Sequence, residues 1–386
     1  MGTPIRVLIA PDKFKGTLTA HAAAHAIADG IRPADAALGA AIEIDLCPIA
    51  DGGEGTAELL AATWTQTAHR HLTEVTGPLD APALAPWWHN GAERAAFDTA
   101  AACGLALVPP NLRNPARCST RGVGTLLHLI CSHSRNVTIG LGGSATVDAG
   151  IGMAAAIGWR FEDRAGDLIA SPRGVDLARI AQAVPPADAS PVRRTLQSRR
   201  VSVLCDVTTP LLGEHGCAAL FGPQKGATPA QVKELDDGLR HLVDVVGVAP
   251  TERDGAAGGL AYALRAFIAP LVEQLTLESG ARAVLHAVGF ESRAARADLV
   301  ITGEGRYDLT SHNGKAVGEV IAAARHARKP LLIIAGIADP TMSQSPGVTI
   351  TTCSPDGPPE DEADAADRLH AAATSAFDHW LKARPA

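Results

Sequence analysis

With 386 residues, 46% of them hydrophobic and only 4% aromatic, the chain has material for large buried cores and exceeds the size at which one core keeps growing, so two domains are expected. A formal charge of -7 and no Lys/Arg block give no basic field for nucleic acid, which removes that class of partner. No apolar run approaches a membrane span and no charged leader with an apolar core precedes the first strand pattern, so the expectation is a soluble, cytoplasmic protein without a membrane partner.

Residues 5–10 read as a first strand, followed by a turn over 11–16 and a helix starting near Thr19, whose hydroxyl can cap it. A second strand is expected over 42–49, after which ADGGEG turns into a helix at 55–64. The prolines and tryptophans of residues 78–88 interrupt this βαβα rhythm, and ERAAFDTAA reads as antiparallel or irregular, which places a domain change near residue 75. A loop over 109–122 leads to a helix at 122–133 and then to an apolar run that breaks into glycines at 140–143. WRFEDRAGDLI reads as a hairpin turning at 164–166, and residues 185–194 as an exposed loop. RRVSVLCDV is a buried-type strand, and TPAQVKELDDGLRHLVDVV a helix with Thr228 as N-cap and Pro229 at its first position. DGAAGGLAYALRAF starts a further helix. Beyond residue 290, ADLVITGEG, KPLLIIAGIA and GVTITTC restore the βα rhythm, and a last helix is expected over 360–382 with acids at its start. The fold class is therefore α/β, with a parallel-sheet domain built from residues 1–75 and 290–386 and a second, different α/β domain from residues 76–289.

Ligands of open α/β sheets bind outside the carboxyl ends of the strands. In NVTIGLGGSATVDAGIGMAAA, Gly140, Gly142 and Gly143 make a tight turn sterically cheap, Ser144 and Thr146 add hydroxyls, and Asp148 is expected in the first turn of a helix. Bare amides at a helix N-terminus suit a phosphate. GLGGSA also satisfies the looser dinucleotide fingerprint, with Glu162 at about the expected distance, so this segment leaves NAD and ATP both open; close helix-on-sheet packing also explains it without any ligand. No GxxxxGK[ST], HRD, DFG or GxSxG pattern is present, which disfavours a P-loop fold, a protein kinase and an esterase-type elbow.

Asp51 and Glu54 flank the glycine pair of ADGGEGT, where they can bind Mg²⁺ through water or accept a proton from an alcohol, unless the loop is merely capped and its acids solvated. TGEGRYDLTSHNGK puts Glu304, Arg306, Asp308 and Lys315 in one expected loop. Asp206 follows a buried-type strand, Lys225 sits in a loop constrained by glycine and proline, and Lys13 and Lys15 can neutralise a carboxylate or phosphate. Seven cysteines without a CxxC pair read as reduced thiols, and among fourteen histidines the pair His21 and His25 lacks the HExxH context of a metal site.

APDKFKGTLTA, PIADGGEGT, GLGGSATVDAGIGM, LFGPQKGATP, GAAGGL and ITGEGR, in this order from residue 5 to about residue 340, closely resemble the type-1 glycerate kinase family. The resemblance implies ATP- and Mg²⁺-dependent phosphorylation of D-glycerate, with bacterial relatives mostly making 2-phosphoglycerate. It also implies a Rossmann-like domain joined to a different α/β domain, with the active site in the cleft between them, and it favours ATP over NAD. On that basis Gly142, Gly143, Ser144, Thr146 and Lys225 are expected to hold the nucleotide, Asp206 and Glu304 the Mg²⁺, Lys15 or Arg306 the glycerate carboxylate, and Asp51 to act as base. The alternatives are a ligand-binding protein that keeps the fold without turnover and an NAD-linked hydroxy-acid dehydrogenase. The chain departs from the family where relatives commonly read EMAAASGL, with Asp98, Thr99 and Cys103 in FDTAAACGL, and again where Thr310, Asn313 and Val317 replace the usual Gln, His and Pro. A shifted preference among small hydroxy acids follows if these positions touch substrate.

Overall fold

The computed structural model describes residues 4–34, 41–65, 67–312, 315–342 and 347–384; Asn313 lies outside the described residues. The chain divides into two compact units, one of Met1–Asp51 with Ser279–Ala386 and one of Gly52–Glu278. The two larger of the three sheets are mixed with helices in the α/β manner expected from the sequence.

The first unit is built on a five-stranded parallel sheet in the order Val348–Thr352, Leu331–Ala338, Leu299–Tyr307, Ile5–Ile9, Ile42–Leu46. Its three inner strands are largely buried at either parity because helices cover the sheet, whereas the outer strands, IEIDL and VTITT, carry polar residues and are only partly buried. Ile5, Val7, Ile9, Leu299, Ile301, Leu332 and Ile334 pack with Ala23, Ala24 and Ile27 of the helix Ala20–Ile31 and Leu369, Ala373 and Phe377 of the helix Glu362–Ala383. Thr19 caps the former as expected, accepting a bond from the Ala22 amide at 3.1 Å. The two helices approach so closely that a Cβ on Gly30 would stand 2.5 Å from the carbonyl oxygen of His370.

One expectation for this unit fails. Glu304 and Arg306 stand not in a loop but in the strand Leu299–Tyr307, paired with Ala335 and Ile337, and only Asp308 and Lys315 follow it. Gly303 and Gly305 explain the continuation: a Cβ at Gly303 would meet the Ile334 carbonyl oxygen at 2.1 Å, and one at Gly305 the Lys15 amide at 3.2 Å. Without side chains there, the neighbouring strand and the turn after Asp12 close against the strand and keep it paired.

The second unit contains a six-stranded sheet in the order Gln274–Glu278, Arg200–Leu204, Asn136–Gly140, Arg94–Asp98, Pro82–His89, His69–Thr76. The first four strands are parallel and the last two antiparallel. The helix Pro229–Val246 starts with the expected Thr228 and Pro229, completed by a reciprocal bond between Thr228 and Gln231. WRFEDRAGDLI does turn back on itself, with the Ile169 amide bonded to the Phe161 carbonyl, but the strand partner of Arg160–Glu162 is Gln182–Val184.

The expected strand-to-helix turn at GLGG is also different. Ten residues, 141–150, separate the strand from the six-residue helix Ile151–Ala156, so Asp148 precedes that helix. The amides of Leu141, Ala145, Val147 and Ala149 bond instead to carbonyls of Leu204, Cys103, Pro115 and Gly258, so distant elements fix the loop. In GAAGGL, Ala257, Gly258 and Gly259 are left-handed, at φ 52°, 74° and 90°, and a Cβ on Gly258 would lie 1.9 Å from the Thr146 carbonyl oxygen. This third glycine motif thus packs on the 141–150 loop.

Gly30→Ala should destabilise the first unit. The helix-propensity gain of about 1 kcal/mol is outweighed by displacement of a main-chain carbonyl, for a net loss of roughly 1–2 kcal/mol in urea unfolding. An unchanged or raised midpoint would contradict the close helix contact.

Candidate functional site

In the second unit the 141–150 loop is held from beneath by a buried lysine. Lys225 is 5% exposed, and its Nζ donates to Ser144 Oγ at 2.9 Å and to the Thr146 carbonyl at 2.8 Å. Burial pushes its pKa down to about 8. A buried cation is costly unless it is hydrogen-bonded, so these bonds commit the ammonium to the loop. Asp148, fully buried, accepts from the Thr120 amide at 3.1 Å, Thr120 Oγ1 at 2.7 Å and the Gly150 amide at 3.0 Å. Burial raises its pKa, and these bonds oppose the rise. Thr120 Oγ1 in turn accepts from the Met153 amide at 2.9 Å, tying the starts of the helices Arg121–His133 and Ile151–Ala156 together.

Two successive amides of the loop are left unpaired. Gly143 is exposed with φ +67°, and among the described residues no hydrogen bond takes the amides of Gly143 and Ser144. Thr146 Oγ1 is buried without a partner. Successive unpaired amides over a buried ammonium make an anion-binding concavity. The glycine pair of ADGGEG lies against it: Cβ atoms at Gly140 and Gly142 would stand 3.2 Å from the Gly52 carbonyl oxygen and 3.0 Å from the Gly53 Cα.

Among the described residues that depart from the family's pattern, each is tied into the scaffold. Asp98, buried, accepts from the amides of Gly55 at 2.8 Å and Ala57 at 3.1 Å, capping the helix Thr56–Ala62, whose own N-cap is Gly55. Thr99 Oγ1 donates to the Gly140 carbonyl at 3.2 Å, and Cys103 Sγ to the Thr99 carbonyl at 3.3 Å. In the first unit, Thr310 Oγ1 donates to Asp308 Oδ1 at 2.6 Å and accepts from Lys315 Nζ at 2.9 Å, while Val317 is buried.

The first unit gathers carboxylates at the carboxyl ends of three neighbouring strands. Asp51, after Ile42–Leu46, pairs with Lys13 Nζ at 3.2 Å. Asp12, after Ile5–Ile9, is 8% exposed and accepts from the Lys13 amide at 2.7 Å. Glu304, within Leu299–Tyr307, has a buried Oε1 with no partner. Burial, reinforced by the negative charge of Asp51, raises the Asp12 pKa. Burial also pushes Glu304 up to about 7, against the pull of Ser311 and Lys315. Among the described residues, no three His, Cys, Asp or Glu side chains already form a ligand set. An orphaned buried carboxylate oxygen is nevertheless the donor a hard cation takes, so Glu304 fits Mg²⁺.

The other expected residues fall as follows. Lys15 is exposed on the turn beyond Phe14, and Arg306 is exposed with its Nε 3.2 Å from Asp308 Oδ2. Asp206 is half-buried, two residues past the strand Arg200–Leu204 in the second unit. Asp12 was not among the expected site residues. Its signal was an acid directly after Pro11 at the end of the first strand, overshadowed by the adjacent lysines.

A family model described as the glycerate kinase family matches residues 7–380. The chain is 40% identical to glycerate 2-kinase of Escherichia coli K12, over 86% of this chain and 85% of that one. It is likewise 40% identical to a glycerate kinase of Bacillus subtilis 168, with coverage of 86% and 85%. A solved structure assigned as glycerate kinase 2 of Salmonella typhimurium LT2 is similar at a TM-score of 0.75 and 34% identity, covering 98% of this chain and 99% of that one.

The raised Glu304 pKa has a signed consequence. The folded state keeps a proton that the unfolded chain releases near 4.5, so between that pH and about 7 stability falls as pH rises. Thermal melts from pH 4.5 to 8 should decline less steeply for Glu304→Gln than for the wild type, and parallel curves would contradict the burial of this carboxylate.

Proposed function

From a chain that belongs to the glycerate kinase family, and is therefore a kinase, we propose transfer of the γ-phosphoryl group of ATP to D-glycerate, giving 2-phosphoglycerate and ADP. The observation that carries this reading is the 141–150 loop, with the open amides of Gly143 and Ser144 above the buried ammonium of Lys225. Attack by the 2-hydroxyl is supported by the name of the Escherichia coli relative, glycerate 2-kinase.

Phosphoryl transfer asks little covalent chemistry of a protein; it asks for alignment and charge neutralisation. Gly143 and Ser144 supply amides and Ser144 and Thr146 hydroxyls to the nucleotide phosphates, while Gly142, whose amide donates to Thr99 Oγ1 at 3.4 Å, lets the loop pass close to Gly53. Lys225 acts from below, fixing the loop and adding positive charge beneath it. Bound Mg²⁺ would neutralise the phosphate oxygens; Glu304, with its unpartnered oxygen, would hold it, and Asp206 is the other acid expected to serve as a ligand. Asp51, oriented by Lys13, accepts the proton of the attacking hydroxyl. Of the two candidates for the substrate carboxylate, Lys15 and Arg306, the planar guanidinium of Arg306 matches that group in a paired geometry. The seven free cysteines suit a reducing, cytoplasmic setting.

Incubation with ATP, Mg²⁺ and D-glycerate, followed by phosphorus NMR, should show 2-phosphoglycerate. A 3-phosphoglycerate resonance would overturn the position of attack, and absence of product would overturn the reaction. Asp51→Asn should lower kcat by roughly 10²-fold or more while leaving ATP affinity unchanged, and near-normal turnover would remove Asp51 as base.

A further inference from the structure

The antiparallel end of the second unit's sheet carries an imidazole cluster that phosphoryl transfer does not use. His69 and His71 are two residues apart on the edge strand His69–Thr76, so both rings lie on one face of it. His89, on Pro82–His89, stands opposite His69 in register. The Nε2 atoms of His71 and His89 face each other at 2.8 Å, and the His69 ring centroid is 5.6 Å from that of His89. Trp87 stacks on His71 at 4.7 Å and on His89 at 5.2 Å, and its Nε1 donates to Thr73 Oγ1 at 2.9 Å, which fixes the indole as a wall beside the pair.

His89 can present its ring in two ways. Its Nδ1 lies 3.0 Å from the Gly91 amide nitrogen and 3.2 Å from the Gly91 carbonyl oxygen. If Nδ1 accepts from the amide, Nε2 carries the proton and donates to His71. If Nδ1 instead carries the proton and donates to the carbonyl, His89 Nε2 turns a lone pair toward His71, whose Nε2 either donates its own proton or, in the Nδ1–H tautomer, offers a second lone pair. Two facing lone pairs can share a cation, and an imidazole that ligates through Nε2 while donating its Nδ1–H to a carbonyl is the arrangement found in metal sites. Two nitrogens each about 2.0–2.1 Å from one ion stand roughly 2.9–3.4 Å apart, so the pair needs to open only slightly.

We propose that His71 and His89 bind one divalent transition-metal ion of the zinc, nickel or copper class through Nε2, with water or a rotated His69 completing the coordination. Imidazole nitrogens select these ions over Mg²⁺, so the site is chemically distinct from the cation of phosphoryl transfer. A bound ion would clip the edge strand to its neighbour and stabilise the second unit by linkage.

Calorimetric titration of the metal-free protein with Zn²⁺, in the presence of excess Mg²⁺, should show saturable binding of about one equivalent. His71→Gln or His89→Gln, exposed or half-buried positions that should still fold, is expected to weaken it on the order of 10–100-fold, while His21→Ala does not. Cu²⁺ bound to the wild type should show nitrogen couplings in its electron paramagnetic resonance spectrum that disappear in the double variant. Absence of saturable Zn²⁺ binding, or binding and couplings that survive in the double variant, would overturn the proposal.

Discussion

The hydrogen bonds from the buried Lys225 ammonium to Ser144 and to the Thr146 carbonyl are the constraint on which the second unit's candidate site depends. The loop they hold leaves its strand without entering a helix, and its conformation is set by partners outside itself. Lys225 supports it from below, Asp148 anchors its far end through Thr120 and Gly150, and the left-handed glycines of GAAGGL press on the Thr146 backbone. What remains unpaired is the pair of amides at the exposed Gly143 and the buried Ser144. A loop fixed by its buried side can offer open amides to a phosphate without rearranging first, and such prearrangement is the chief contribution a protein makes to phosphoryl transfer.

The first unit works under a different constraint. Its three inner parallel strands are largely buried on both faces, and acids at their carboxyl ends are drawn partly into that environment. Asp12 and Glu304 are held there at a cost in stability above neutral pH, with one Glu304 oxygen left without a partner. Local rules of burial are broken where a ligand is expected to complete the site, and sheet packing elsewhere in the unit sustains the violation. In phosphoryl transfer, a hard cation is the ligand that would relieve it.

Periodicity and caps made the elements legible. The apolar runs beginning at Ile5, Arg200, Leu299 and Leu331 form strands, and Thr19 and Thr228 cap helices where their hydroxyls predicted. The glycine motifs were legible as places of close approach, but their partners were not, because those lie far along the chain. Lys225 meets Ser144 across 81 residues, and Asp98 bonds to the Gly55 amide across 43, so neither the support of the loop by the lysine nor the capping by the acid could be read from local sequence. The continuation of Leu299–Tyr307 through Glu304 and Arg306 was hidden for a related reason: pairing with Leu331–Ala338, together with two glycines, decides it, and charge alone suggests a loop. The imidazole cluster is likewise a product of register, which brings His89 opposite His69.

The central claim, that the lysine-supported loop receives the nucleotide phosphates, is tested most directly by amide hydrogen exchange across residues 141–150 with and without ATP and Mg²⁺. The account predicts that exchange at Gly143 and Ser144 slows on ATP binding in the wild type, and that in Lys225→Met the loop exchanges faster and loses this protection. ATP binding with unchanged exchange at Gly143 and Ser144 would contradict it.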